Sequence, residues 1–71
     1  MITLTAKPDE VKRLRVGAAL SQRELAIAAG LRRETILNVE AGRPARLSSI
    51  RKIAQALGVA PDAIANVSEA A

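Results

Sequence analysis

Between Arg32 and Asn38 the chain sets Arg32, Arg33, Glu34, Leu37 and Asn38 at spacings that share one side of a helix, while Ile36 and Val39 fall on the other. If the two β-branched residues turn inward, the polar set turns out. Each member of that set has chemistry suited to a base edge in duplex DNA. Arg33 can donate two parallel hydrogen bonds to guanine N7 and O6, and Arg32 adds a further donor at the tip. Glu34 can accept from the amino group of cytosine, and Asn38 can pair with adenine or reach a phosphate. Leu37 is apolar on a polar face. It either meets a thymine methyl group or is a lone exposed leucine, which needs no special cause.

A second group suits the phosphate backbone. Gln22 falls at the start of a helix, where unpaired backbone N–H groups attract an anion and its amide adds a donor. Arg43 and Arg46 lie just beyond the reading segment and are expected to set register on the backbone. Thr35, Arg51 and Lys52 are weaker phosphate candidates.

Positioning these residues requires two short helices and a turn. Ser21 and Glu24 form an S-x-x-E capping box that starts one helix, and Leu25, Ala26 and Ala29 face inward from it. Gly30 permits the left-handed turn, and a second helix runs from about Arg33 to Ala41, closed by Gly42 and Pro44. Residues 22–41 thus read as a helix-turn-helix, the motif that places its second helix in the major groove.

Around that unit the pattern is helical. Val11, Leu14 and Ala18 make the stripe of a first helix, with Pro8 in its first turn and Asp9 and Glu10 at the positive end of its dipole. A fourth helix spans roughly residues 47–57 on Ile50, Ile53, Ala54 and Leu57, and Gly58 ends it. Pro61 opens a short fifth helix carrying Ile64. Met1 to Thr5 alternates in a strand-like way, but residues 1–7 are read as an arm that packs on the core or stays disordered, because the signal is so short. Residues 67–71 are expected to fray. The expectation is an all-α, compact five-helix bundle in a single domain over residues 1–71.

Composition narrows the function. The 71 residues carry a net charge of +4. From Arg32 to Lys52 the basic residues are Arg32, Arg33, Arg43, Arg46, Arg51 and Lys52, against Glu34 and Glu40; beyond Lys52 none is basic. Such a region suits a polyanion, or is simply a solvated surface. The chain has no Phe, Tyr or Trp, so bases have no aromatic platform, which argues against single-strand and RNA readers. With no His and no Cys, it lacks the commonest general base and the usual metal ligands. No enzyme activity, cofactor or metal is expected. No stretch is apolar enough for a membrane span, and the start lacks a signal-peptide pattern, so a cytoplasmic location is expected. A chain this short buries only about 60% of its unfolded surface, which makes dimerisation a natural source of support.

From Val11 to Ile64 the chain resembles the phage Cro/repressor type of helix-turn-helix, the XRE-like family. The resemblance rests on Arg15, on Leu20-Ser21-Gln22-x-Glu24-Leu25-Ala26, on Gly30, and on Thr35-Ile36-x-x-Val39-Glu40-x-Gly42. It continues through Leu47, Ile53-Ala54-x-Ala56-Leu57-Gly58-Val59 and Ile64. It implies a lambda-repressor-like five-helix domain that binds DNA, commonly as a homodimer on a two-fold operator. It further implies that Gln22 meets a phosphate, and that Arg15 and Glu40 form a partly buried structural salt bridge. The family has Ser or Thr where this chain has Arg32, and Ser near Arg46. Arg cannot accept a backbone N–H, so both departures exchange a helix cap for a cation.

The expected function is a sequence-specific DNA-binding transcription regulator, read as a repressor. The alternatives are an antitoxin or restriction-modification controller that also binds a protein, such as a toxin, and a protein-interaction module without specific readout. Ile2 and Leu4 could receive such a partner by strand addition. The dimer surface is expected either at Ile64 and Val67 or at the arm with Ile2 and Leu4.

Overall fold

The computed structural model describes residues 3–66, the side chains of Thr3 and Leu4 excepted. Within that span, helix α1 (Pro8–Gly17) begins on a proline whose missing N–H costs nothing at a helix start. Asp9 and Glu10 occupy its first turn, where negative charge meets the positive end of the dipole. Val11 is wholly buried and Leu14 half-buried. Ala18, expected on the inner stripe, is instead the exposed C-cap residue, because the helix stops one residue earlier.

Helix α2 (Gln22–Ala29) starts on the capping box, with both reciprocal bonds present between Ser21 and Glu24. It ends at Gly30, whose φ of 68° is cheap for a residue without a Cβ. Helix α3 (Arg33–Glu40) follows within three residues. Helix α4 (Leu47–Leu57) turns Ile50, Ile53 and Ala54 into the core, while Leu57 stays half-buried. The buried side chains from these helices form one aliphatic cluster with Leu25, Ala26, Ala29, Ile36, Val39 and Ile64.

Two parts of the sequence reading need correction. The first is the all-α, five-helix expectation: the described residues hold four α-helices and a small three-stranded antiparallel sheet. Strand β1 (Thr3–Ala6) replaces most of the expected arm and lies in the middle, between β2 (Pro44–Arg46) and β3 (Ala65–Asn66). Its pairing sets Thr3 opposite Arg46, Leu4 opposite Ala45 and Thr5 opposite Pro44. On the other edge Thr5 faces Asn66 and Ala6 faces Ala65. Ala6 and Ala65 are both buried, which ties the sheet to the core.

The second is the fifth helix. Pro61–Ala63 forms a single 3-10 turn, with Ile64 after it. The backbone then leaves helical geometry, because the Ile64 carbonyl accepts from the Lys7 N–H at 2.7 Å and the chain runs into β3. Ile64 itself is fully buried, so it offers no dimer surface. The tail 67–71, together with Ile2 and Val67, lies outside the described residues.

Candidate nucleic-acid interface

The turn between α2 and α3 is built from local bonds. The Leu31 N–H reaches back to the Ala26 carbonyl at 2.9 Å. Arg32 is then the N-cap residue, in extended conformation and without a side-chain cap bond. Its carbonyl accepts from Thr35 at 3.0 Å, while its cationic side chain stays exposed. Arg46 stands in the same position ahead of α4, again with no side-chain cap. Both caps are thus chemically weak, and each puts an exposed cation at a helix start, Arg32 at α3 and Arg46 at α4.

Burial of Ile36 and Val39 fixes the rotation of α3. Arg32, Arg33, Glu34 and Leu37 are exposed, and Thr35 and Asn38 are half-buried at the edge. Leu37 is 40% exposed, one of three large apolar side chains left at the described surface, with Val16 and Ile27. The helix end is a Schellman turn: the Gly42 N–H bonds the Val39 carbonyl and the Arg43 N–H bonds the Asn38 carbonyl, each at 3.1 Å. Gly42 takes a φ of 80°, the left-handed value this turn needs. The Arg43 guanidinium then folds back and donates from Nη1 to Asn38 Oδ1 at 2.7 Å.

Two depressions flank the exposed face. One, of about 300 Å3, lies between the starts of α2 and α3 and is lined by Arg15, Ser21, Gln22, Arg23 and Arg33. The other, of about 190 Å3, lies between α3, β2 and the start of α4, and includes Thr35, Asn38, Arg46 and Ser49. The expected phosphate group is therefore divided: Gln22 lines the first depression, Thr35 and Arg46 the second, and Arg43 sits exposed beside it. Arg51 and Lys52 are exposed on α4 and line neither.

Under the first depression lies a paired charge. Arg15 Nε donates to Glu40 Oε2 at 2.7 Å and Nη2 to Oε1 at 3.1 Å. Arg15 Nη1 also holds the Leu20 carbonyl at 2.9 Å. The two side chains are only 11% and 7% exposed. This joins the end of α1 to the end of α3. Gln22 Nε2 leans on the same carboxylate at 3.4 Å, which leaves its second N–H for another acceptor.

Residues 11–64 match the family model described as Helix-turn-helix. The chain belongs to the helix-turn-helix family. Within it the match is to the XRE-like branch, and the chain is a DNA-binding transcription regulator. No curated protein is similar enough in sequence to be matched. Among solved structures, this helix-turn-helix protein is similar to the restriction-modification controller protein C.AhdI from Aeromonas hydrophila, at 37% identity and a TM-score of 0.74, over 79% of this chain and 86% of that one. It is also similar to the hypothetical transcription factor NHTF from Neisseria, at 42% identity and a TM-score of 0.70, over 76% of this chain and 63% of that one.

Sequence reasoning missed two residues of this helix-turn-helix face. Arg23 follows Gln22 and lines the same depression, a position that its place in the first turn of α2 could have shown. Ser49 enters the second depression through the packing of α4 against β2, which no local pattern announces. No helix of the described residues is long and apolar enough to cross a membrane.

Proposed function

We propose that the chain represses transcription as a homodimer, with α3 of each subunit reading one half of a two-fold symmetric operator. Arg33, Glu34, Leu37 and Asn38 would meet base edges, with Arg32 at the rim. Gln22, Thr35, Arg43 and Arg46 would hold phosphates on either side. The observation that carries this is the exposed polar face of α3 between one depression lined by Arg15, Arg23 and Arg33 and another that includes Arg46. Bound to DNA, the protein would reside in the cytoplasm with the nucleoid. Its two reading helices would stand about 34–36 Å apart, one turn of B-DNA.

Selection from a random duplex library tests this reading. A two-fold symmetric consensus is expected; recovery of sequences without any shared motif would refute sequence-specific readout. The similarity to C.AhdI supports a second reading, control of restriction-modification genes. Selected sites lying beside such genes would favour it. The strand-addition route to a protein partner is less supported, because β1 is the middle strand and both its sides are engaged at Thr5.

A further inference from the structure

Arg43 holds Asn38 twice. Its backbone N–H bonds the main-chain carbonyl of Asn38 at 3.1 Å, and its guanidinium bonds the side-chain carbonyl at 2.7 Å. The first bond belongs to the Schellman turn, so the backbone of Arg43 is fixed relative to α3. The next residue, Pro44, is paired with Thr5 of β1, which fixes the chain on the other side. The guanidinium therefore returns to Asn38 from an anchored stem. At 2.7 Å the contact has the length of a charge-assisted hydrogen bond, the stronger kind.

An amide side chain offers one carbonyl oxygen and two N–H donors, and flipping it exchanges what it shows to a ligand. Bidentate pairing with adenine needs both atoms on the base edge, the oxygen facing N6–H and the nitrogen facing N7. Here one of the oxygen's two lone pairs already accepts from a cation, which weakens it as an acceptor for adenine N6–H. The Nδ2 amino group stays free, and it can only donate. Guanine presents two adjacent acceptors, N7 and O6, whereas adenine presents an acceptor beside a donor.

Resting on the reading that α3 enters the major groove, we infer that Arg43 is a specificity-determining residue that acts through Asn38. By holding the side-chain carbonyl it makes Asn38 a donor and shifts its base pair from A·T to G·C. Arg43 touches no base in this role. One Nη1–H is spent on Asn38, and the other four guanidinium N–H groups remain for a phosphate. Backbone contact and base choice are thus coupled through one side chain.

The test is a set of dissociation constants by fluorescence anisotropy, for the wild type, Asn38→Ala and Arg43→Met. Each is measured on the selected consensus duplex and on its single-base-pair variants. Asn38→Ala should level the preference at one base pair per half-site, which identifies the position. There the wild type should favour G·C over A·T by about tenfold. Arg43→Met should weaken binding everywhere, and at that position alone should cut or reverse the G·C preference. A loss from Arg43→Met that is the same on G·C and A·T would overturn the inference while leaving the operator reading intact. So would a wild-type preference for A·T there, or an Asn38→Ala variant that changes no preference. A wild type that prefers no sequence at all would overturn both.

Discussion

Arg33 and Arg46 carry the same charge but stand on different surfaces, and the proposed DNA reading makes that difference measurable. Arg33 stands on the exposed face of α3, whereas Arg46 ends β2 beside the second depression. Arg33→Ala should cost about 1–3 kcal/mol on the selected operator and relax the base preference at one position. Arg46→Ala should weaken all sequences alike and lower the slope of log affinity against log salt by about 0.9. Gel-shift titrations at several salt concentrations separate the two, and identical behaviour would show that the roles are misassigned. Arg15 and Glu40 act on stability instead. Removing one member of so enclosed a pair leaves a buried charge, at a cost of about 3–5 kcal/mol. Arg15→Met alone should lower Tm by more than roughly 12 °C in a domain of this size. Arg15→Met combined with Glu40→Leu should melt higher than either single variant. The exposure of Arg33 was legible from its helical position, and the Arg15–Glu40 pair from the resemblance to the Cro/repressor type. The grip of Arg43 on Asn38 was not, because it depends on how the chain returns after Gly42.

At the scale of elements, α2 has the best-made start and α3 and α4 the weakest. Hydrogen bonds from the backbone and side chain of Ser21 hold the Glu24 carboxyl below its ordinary value of 4.5. A carboxyl whose folded pKa is depressed contributes stability above its unfolded pKa and loses it as pH falls through the folded one. Acidification below about pH 4.5 should therefore weaken the start of α2. Glu24→Gln keeps the capping-box geometry without the titration, so thermal melts should show the wild type losing more Tm than Glu24→Gln between pH 7 and pH 3. Equal losses would mean that the box contributes nothing. The sheet carries the other prediction of this scale. β1 is the only described strand that touches both β2 and β3, and β2 holds Arg46. Deleting residues 1–5 should preserve most helical signal yet weaken DNA binding, with the salt slope falling by about 0.9 for each phosphate the protein no longer holds. Unchanged binding would make β1 dispensable for the interface. The helices were readable because their stripes and caps are local. The strands were not, since segments of four, three and two residues owe their form to partners far along the chain. The same pairing drew the chain past Pro61–Ala63 out of the expected fifth helix.

For the whole molecule the separation of core and surface decides the function. The aliphatic core orients α3 so that its polar face cannot turn inward without exposing Ile36 and Val39. A chain with no aromatic residue keeps a single ordered face in this way, and that face is basic at both rims. A surface for the proposed dimer was the least legible feature, because self-complementarity leaves no periodic mark and Ile64, one candidate for it, belongs to the core. Methylation interference on the selected operator probes the groove directly, since guanine N7 lies in the major groove and adenine N3 in the minor. Methyl groups at guanine N7 within both half-sites should abolish binding, while those at adenine N3 in the same half-sites should be tolerated. Binding that ignores N7 methylation would contradict entry of α3 into the major groove.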